Sequence, residues 1–364
     1  MNHSNTYVDR GKRGNTPEVT LRADQSYLEF ISDARDLMLN QKARRFSEVG
    51  MKVLKKRGIP FEHTLKVTNK VREAFAEVQE LAVFLRIKRS LQEAYKERII
   101  GSYGLIQKTW ENRLDEADSQ GPGSVKYDPN WQVPDYASRE MHIQPGGFVG
   151  APLAGLYYDY NTQIFFADNI AADAMHAGFV AKTPPPENGK VKRFMEIGCG
   201  IGQITCELKK VYSDAEAWGT DIAAPMVRYS HWRAMQQDLD IHFAQMPAED
   251  LDFPDGHFDL IAAHILFHEI PVPIIRKVIS EAYRALRPGG LFVIWDFRTA
   301  TDEKPGYNSV LGLMDAADNG EPYALGFVNC GVENILKETG FDLRDNLEAG
   351  IFMEGRFADK PIAS

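Results

Sequence analysis

The sequence predicts an α/β protein, with a largely parallel sheet flanked by helices on both faces and an all-helical region before it. Three observations carry this. Between residues 193 and 296, short apolar strands alternate with helical periodicity, the pattern of a sheet built from strand–helix–strand crossovers. At 194–206 the chain reads Phe-Met-Glu-Ile-Gly-Cys-Gly-Ile-Gly-Gln-Ile-Thr-Cys, a buried strand running through a glycine turn into a helix. Residues 21–120 show helical spacing and no strand signal.

Residues 1–20 are polar and read as a flexible N-terminus, without the apolar run of a signal peptide. Leu28, Ile31, Ala34, Leu37 and Met38 then recur at helical spacing, predicting a helix over 26–54 that Arg57-Gly58-Ile59-Pro60 stops. A second helical stretch covers 63–101, with Val67, Val71, Phe75, Val78, Leu81 and Phe84 on its stripe, and a third covers 105–117. Helices this long pair subunits into a homodimer or cover a site as a lid, and both readings stand. The basic residues Lys42, Arg44, Arg45, Lys52, Lys55, Lys56 and Arg57 are mixed with acids, as on a solvated helix face.

Residues 121–190 read as a linker followed by a covering segment. Ser119-Gln-Gly-Pro-Gly-Ser124 is a linker by composition. The turn at Pro145-Gly146-Gly147 leads into an aromatic helix with Tyr157, Tyr158 and Tyr160. Either a tyrosine lines a pocket or these rings join the two halves as core. Lys182-Thr-Pro-Pro-Pro-Glu-Asn-Gly189 is a break, after which residues 191–364 form the main α/β domain. Its elements are predicted as strands 193–198, 215–220, 241–244, 258–263 and 290–296, with helices 203–212, 224–236 and 272–286 between them.

The glycine turn lets backbone approach a flat ligand, because glycine has no Cβ, and the following helix start offers unpaired N–H groups. A dinucleotide fingerprint needs glycine at its sixth place, where Gln203 stands, with the third glycine one residue early at Gly202. Glu196 beside the turn would repel a pyrophosphate but suits an ammonium. Asp221, ending the second strand, can accept both hydroxyls of a ribose. Together these favour a nucleoside that carries an amino acid.

Glu196-Ile-Gly-Cys-Gly-Ile-Gly202 resembles the first motif of the class I S-adenosylmethionine-dependent methyltransferases. Asp221, Ala248-Glu-Asp-Leu-Asp-Phe253 leading to Phe258-Asp-Leu-Ile261, and Leu286-Arg-Pro-Gly-Gly-Leu-Phe-Val293 follow in the family's order. The resemblance covers residues 190–300 well, and the last sixty by element order alone. It implies a Rossmann-like, seven-stranded mixed sheet closed by an antiparallel pair at 342–347 and 350–358. It also implies S-adenosyl-L-methionine as cofactor, methyl transfer as chemistry, and the segment before the domain as a cover. By the same resemblance Glu196, Gly198, Cys199, Gly200, Gly202 and Gln203 surround the methionine part and Asp221 takes the ribose. Ile222 lies against adenine, with Met226 also on the cofactor, and Ala248 or Glu249 meets the adenine amino group. Pro247 stands where the family often has an acid. Asp259 reads as ordering a strand start.

Methyl transfer needs an acceptor in line with the methyl and water kept out. A hydroxyl or amine acceptor also needs a proton removed. His264, after the fourth strand, is the leading candidate for that task and also lies by the cofactor. His268 is a second, matching a histidine the family often carries there for structural reasons. A thioether acceptor needs no base, and Tyr157 and Tyr158 would stabilise its sulfonium product by cation–π contact. A methionine-derived thioether acid, as in dimethylsulfoniopropionate synthesis, is one such acceptor. Residues 299–327, with Tyr307, Leu311, Met314 and Tyr323, read as the acceptor wall, and Arg298 and Asn308 as anchors for an acceptor carboxylate. No metal site is expected, because His264, His268 and Glu269 lack a helical frame on which to converge.

With 364 residues the chain is long enough for two cores, and its net charge of −9 weighs against nucleic acid as the main partner. Three cysteines give no disulfide framework, and no stretch is apolar enough for a membrane span, so a cytoplasmic protein is expected. Two other readings stand beside the small-molecule enzyme. One is a cofactor-binding or assembly protein without turnover. The other is an RNA or protein methyltransferase, although Ala262-Ala263-His264-Ile265 replaces the Asn-Pro-Pro-Tyr type of signature expected for base amino groups.

Overall fold

The computed structural model describes residues 11–60, 65–144, 146–166, 173–299, 314, 319–349 and 353–362. Residues 11–20, expected to be loose, form a two-stranded hairpin, β1 (Lys12–Arg13) and β2 (Thr16–Pro17). Thr16, Glu18 and Val19 are buried, the Tyr103 hydroxyl donates to the Pro17 carbonyl, and the Tyr160 hydroxyl donates to Glu18. The polar composition here serves a clasp between side chains and backbone, so it does not report solvent exposure.

The first predicted helix is α1 (Arg22–Asp36), a π-helical segment (Leu37–Lys42) and α2 (Ala43–Arg57). Gly58 ends α2 at φ +61°, with the Ile59 N–H on the Leu54 carbonyl at 3.1 Å, an ending that an L-residue takes only under strain. The second stretch splits into α3 (Leu65–Ala76) and α4 (Gln79–Gly104), and α5 (Gln107–Ala117) follows. Three arginines of the basic cluster pair with acids, Arg44 with Glu48 at 3.0 Å, Arg45 with Glu80 at 2.6 Å and Arg57 with Glu77 at 2.6 Å.

The predicted linker contributes a strand. β3 (Ser124–Lys126) pairs parallel with β6 (His242–Gln245), register Val125↔Phe243. Then come α6 (Ala154–Phe165), α7 (Ala174–Lys182), β4 (Arg193–Ile197), α8 (Gln203–Val211), β5 (Glu216–Asp221) and α9 (Ala224–Met235). After β6 follow β7 (Phe258–His264), α10 (Val272–Ala285), β8 (Leu286–Phe297), α11 (Ala324–Asn329) and α12 (Val332–Thr339). The chain closes with β9 (Asp342–Leu343), β10 (Leu347–Ala349) and β11 (Met353–Asp359).

The sheet runs β10-β11-β8-β7-β4-β5-β6-β3, with β9 on β11, so among the described residues it has nine strands where seven were expected. β3 is an addition, and two short strands, β9 and β10, stand where one was expected at 342–347. β11 is antiparallel to β8, and the strands from β8 through to β3 are parallel. Along β4, Phe194 packs with Leu260 on one face while Met195 and Ile197 pack with Ile261 on the other, the period-two alternation of a sheet covered on both sides. The strand order reverses about β4, which opens a crevice at the carboxyl ends of β4, β5 and β7.

A third core joins the halves. Leu28 of α1, Tyr95 and Tyr103 of α4, and Trp110 of α5 pack with Leu156, Tyr157 and Tyr160 of α6 and with Met226 and Tyr229 of α9. Buried Arg35 donates to the Ile164 and Phe165 carbonyls at 3.2 and 3.0 Å, holding the last turn of α6 against α1.

Candidate active site

The crevice holds a pocket whose empty space, open mouth included, is roughly 980 Å³. Its floor is the glycine turn. Gly198, Gly200 and Gly202 all have positive φ. A Cβ on Gly200 would meet only Met226 Cε, at 3.8 Å, so its backbone borders open space. The turn is pinned from three sides. The Gly200 N–H donates to Asp221 Oδ2 at 2.9 Å, the Cys199 N–H to the Thr220 carbonyl at 2.8 Å, and Ser230 Oγ to the Gly200 carbonyl at 2.9 Å.

Two carboxyls border this floor. Glu196 accepts from the Thr205 N–H at 2.8 Å and from the Thr205 hydroxyl, and burial pushes its pKa up to about 8 against those bonds. Asp221 accepts from Gly200 and, through Oδ1, from the Ala223 N–H at 2.9 Å, and burial pushes it up to about 7. Neither makes an ion pair among the described residues. A ligand bringing an ammonium and a pair of hydroxyls would supply what these carboxyls lack.

Glu196, Gly198, Cys199, Gly200, Gln203, Asp221, Ile222, Met226, Ala248, Glu249 and His264 line the pocket. Gly202 does not. It turns the chain into α8, where a Cβ would press on Phe243 at 3.0 Å. Gln203 also reaches away, donating to Asp173 Oδ1 at 2.9 Å. Burial raises the Cys199 thiol well above its ordinary range, so it is an inert wall group. Glu249 accepts from the Tyr136 hydroxyl at 2.6 Å, a partner outside the glycine-turn domain.

Of the tyrosines on α6, Tyr158 lines the pocket, edge-on to Phe148 at 5.8 Å. Tyr157, expected at the chemistry, points instead into the third core against Tyr103 at 6.3 Å, and Tyr160 joins the N-terminal clasp. The covering wall is built by Tyr136, Met141, Phe148 and Tyr158.

His264 ends β7 against the rings of His176 (5.1 Å) and Phe179 (5.3 Å). Burial, then the neighbouring His176 and His268, lower its pKa well below the ordinary value, so the ring is neutral at pH 7. Its Nε2 is buried with no hydrogen-bond partner among the described residues. Ile265 follows at φ +47° and places Leu266 beneath Gly198.

His268 is not at the glycine turn and does not line the pocket. It is buried with Nδ1 on Asp296 Oδ1 at 2.7 Å, and although burial opposes it, the Asp296 charge holds its pKa up at about 9. Arg298, expected as an acceptor anchor, pairs with Glu348 at 2.9 Å. Asn308, Tyr307 and Leu311 lie outside the described residues, and Met314 is buried among the N-terminal helices. Asp259 accepts from the Lys192 and Arg193 N–H groups and from Arg287, a strand-ordering role.

The covering segment was expected, and Met141 and Phe148 belong to it, but sequence reading put the tyrosines of α6 forward in their place and missed Tyr136. Tyr136 meets Glu249 across 113 positions, and no local pattern announces that.

Residues 194–290 match the family described as a methyltransferase domain. The chain is similar to a demethylmenaquinone methyltransferase from Thermus thermophilus, with 33% identity over 106 residues, 29% of this chain and 47% of that protein. It is similar to a ubiquinone/menaquinone biosynthesis C-methyltransferase from Nitrobacter hamburgensis, with 28% identity over 190 residues, 47% of this chain and 74% of that protein. A solved SAM-dependent methyltransferase from Aquifex aeolicus aligns at 20% identity and a TM-score of 0.41, over 58% of this chain and 98% of that one. The chain spans about half the length of the first curated relatives it matches, 47% and 51%.

Proposed function

We propose that this chain, whose residues 194–290 match a methyltransferase-domain family, is a class I S-adenosylmethionine-dependent enzyme that transfers a methyl group to a small-molecule acceptor. The observation that carries the reading is the bond from the Gly200 N–H to Asp221, which fixes a glycine floor and a ribose-binding carboxylate as one unit. When bound, the cofactor supplies an electrophilic methyl on a sulfonium. The glycine floor and Glu196 would hold its amino-acid end, and Asp221 its ribose. Met226 and Ile222 would flank the adenine.

The chain's own work is then positioning and exclusion of water. Tyr136, Met141, Phe148 and Tyr158 close the wall over the floor. His264 Nε2, neutral and unpartnered, can take a hydrogen bond from an acceptor O–H or N–H and receive its proton as the methyl arrives. For a thioether acceptor it has no such task, and Tyr158, Tyr136 and Phe148 are the rings available to a sulfonium product. The relatives act in quinone biosynthesis by their names, so quinols belong on the acceptor panel with hydroxy, amino and thioether acids.

The test has two stages: calorimetry with S-adenosylhomocysteine, then turnover of labelled S-adenosylmethionine across that panel. No affinity for the demethylated cofactor would end the proposal. Affinity without turnover on any acceptor would favour a binding protein. We also propose a homodimer through the N-terminal helices, supported by exposed Phe30 on α1 and Val83 and Ile87 on α4. Light scattering at the 41.0 kDa monomer mass would refute that. The free cysteines support a reducing compartment such as the cytoplasm.

A further inference from the structure

A second cluster borders the same pocket. His142, His268 and Glu269 each offer one ligand atom, and these atoms all lie within 4.8 Å of one another. His142 Nε2 is 2.6 Å from Glu269 Oε1, and His268 Nε2 is 3.9 Å from that same oxygen. Ligand atoms around a tetrahedral ion at ~2.1 Å sit about 3.4 Å apart, a value these two distances bracket.

The outer nitrogen of His268 is held as a metal-binding imidazole is held. His268 Nδ1 lies on Asp296, whose other oxygen accepts the Phe267 N–H at 2.8 Å. His142 Nδ1 has Asn319 Nδ2 at 3.1 Å and Glu321 Oε1 at 3.5 Å. The carboxylate behind His268 fixes that ring's orientation and raises its basicity, while His142 is oriented by the Asn319 amide at its Nδ1. The backbone is also committed. His142 and Ile143 both have positive φ, +53° and +57°, costly for such residues, and the His142 N–H on the Gly320 carbonyl at 3.2 Å helps hold the turn.

We propose that His142, His268 and Glu269 bind one divalent transition-metal cation of the zinc type, leaving a coordination position open to the pocket. Two imidazoles and a carboxylate suit zinc and its neighbours over magnesium or calcium, which prefer all-oxygen sets. Glu269 itself lines the pocket, so the open position faces the acceptor space. Resting on the methyl-transfer reading, the acceptor class is one with an ionisable hydroxyl beside a second oxygen donor, such as a 2-hydroxy acid or a quinol. Coordination of that hydroxyl oxygen would release its proton to solvent or to His264.

The experiment uses the full chain, stripped with chelator and titrated by calorimetry with Zn²⁺ and then Mg²⁺. S-Adenosylhomocysteine affinity is measured on the same samples. One equivalent of Zn²⁺ is expected, with Mg²⁺ roughly 100-fold weaker. Zinc affinity should fall by roughly 100-fold in His142→Ala and in Glu269→Gln, with S-adenosylhomocysteine affinity held within about threefold in His142→Ala, whose side chain does not line the pocket. Cobalt(II) should give the visible absorption of a tetrahedral site in the parent and lose it in both variants. Absence of stoichiometric zinc in a parent that binds S-adenosylhomocysteine overturns the site, as does zinc affinity unchanged by both substitutions. Zinc bound without any S-adenosylhomocysteine affinity upholds the cation site and sinks the methyl-transfer reading.

Discussion

Glu196 is buried and Asp221 half-buried, neither has an ion-pair partner among the described residues, and desolvation raises their pKa values to about 8 and about 7. A raised carboxyl holds its proton in the folded state where the unfolded chain would have lost it. Its contribution to stability therefore declines from about pH 4 upward, until both groups have ionised above their folded values. A ligand ammonium reverses the preference at Glu196. Binding of S-adenosylhomocysteine at pH 7 should accordingly release protons, seen as a calorimetric heat that differs between phosphate and Tris. Identical heats would refute this. His264→Ala should lower turnover of a hydroxyl or amine acceptor by roughly 100-fold and leave a thioether acceptor nearly unaffected. A full-rate variant on a hydroxyl acceptor would remove the proton-accepting role. Arg233 lies between Asp159 (3.5 Å) and Asp173, nearly inaccessible, so Arg233→Met should cost about 3–5 kcal/mol by stranding two buried carboxylates, checked by denaturant melts. At this scale the glycine turn and Asp221 were legible because each is set by its own few residues. Tyr157 and Tyr158 were not separable, since neighbours on a helix point about 100° apart and sequence does not say which face meets the pocket. His142 was invisible because its partner Glu269 lies 127 positions away.

Helical glycines show how packing decides the sign of one substitution. Gly155 on α6 lies against α9, where a Cβ would stand 2.4 Å from Tyr229 Cβ and 3.1 Å from the Pro225 carbonyl. Helix propensity favours alanine by about 1 kcal/mol, but overpacking at a backbone-limited contact costs about 1–3 kcal/mol. Gly155→Ala should therefore lower the melting temperature. Gly101 on α4 is exposed, with open space where an alanine methyl would stand, so Gly101→Ala should raise it. Equal shifts in one direction would contradict this view of the α6–α9 contact. The alternating elements from β4 to β8 were read from sequence to within a few residues, because each has enough length for its period to register. β3 has three residues, too few to show a period, and its composition is that of a linker. The break between α3 and α4 escaped notice because Val78 continues the apolar stripe across it.

At the scale of the molecule, the helical region and the sheet domain share buried surface through α6 and α9. Unfolding should be a single transition, with far-ultraviolet dichroism and tryptophan fluorescence coinciding. Two separated transitions would show the halves to be independent. The parallel sheet and the crevice were foreseeable from strand order, whereas the fusion of the two halves was not, because an apolar helix face does not name what covers it. Ile201 and Met226 belong both to the pocket wall and to the shared core. Transplanting the helical half onto another chain of this type would therefore fail unless α9 and the glycine turn travelled with it. In this protein the wall of the pocket and the frame that supports it have been cut from one piece.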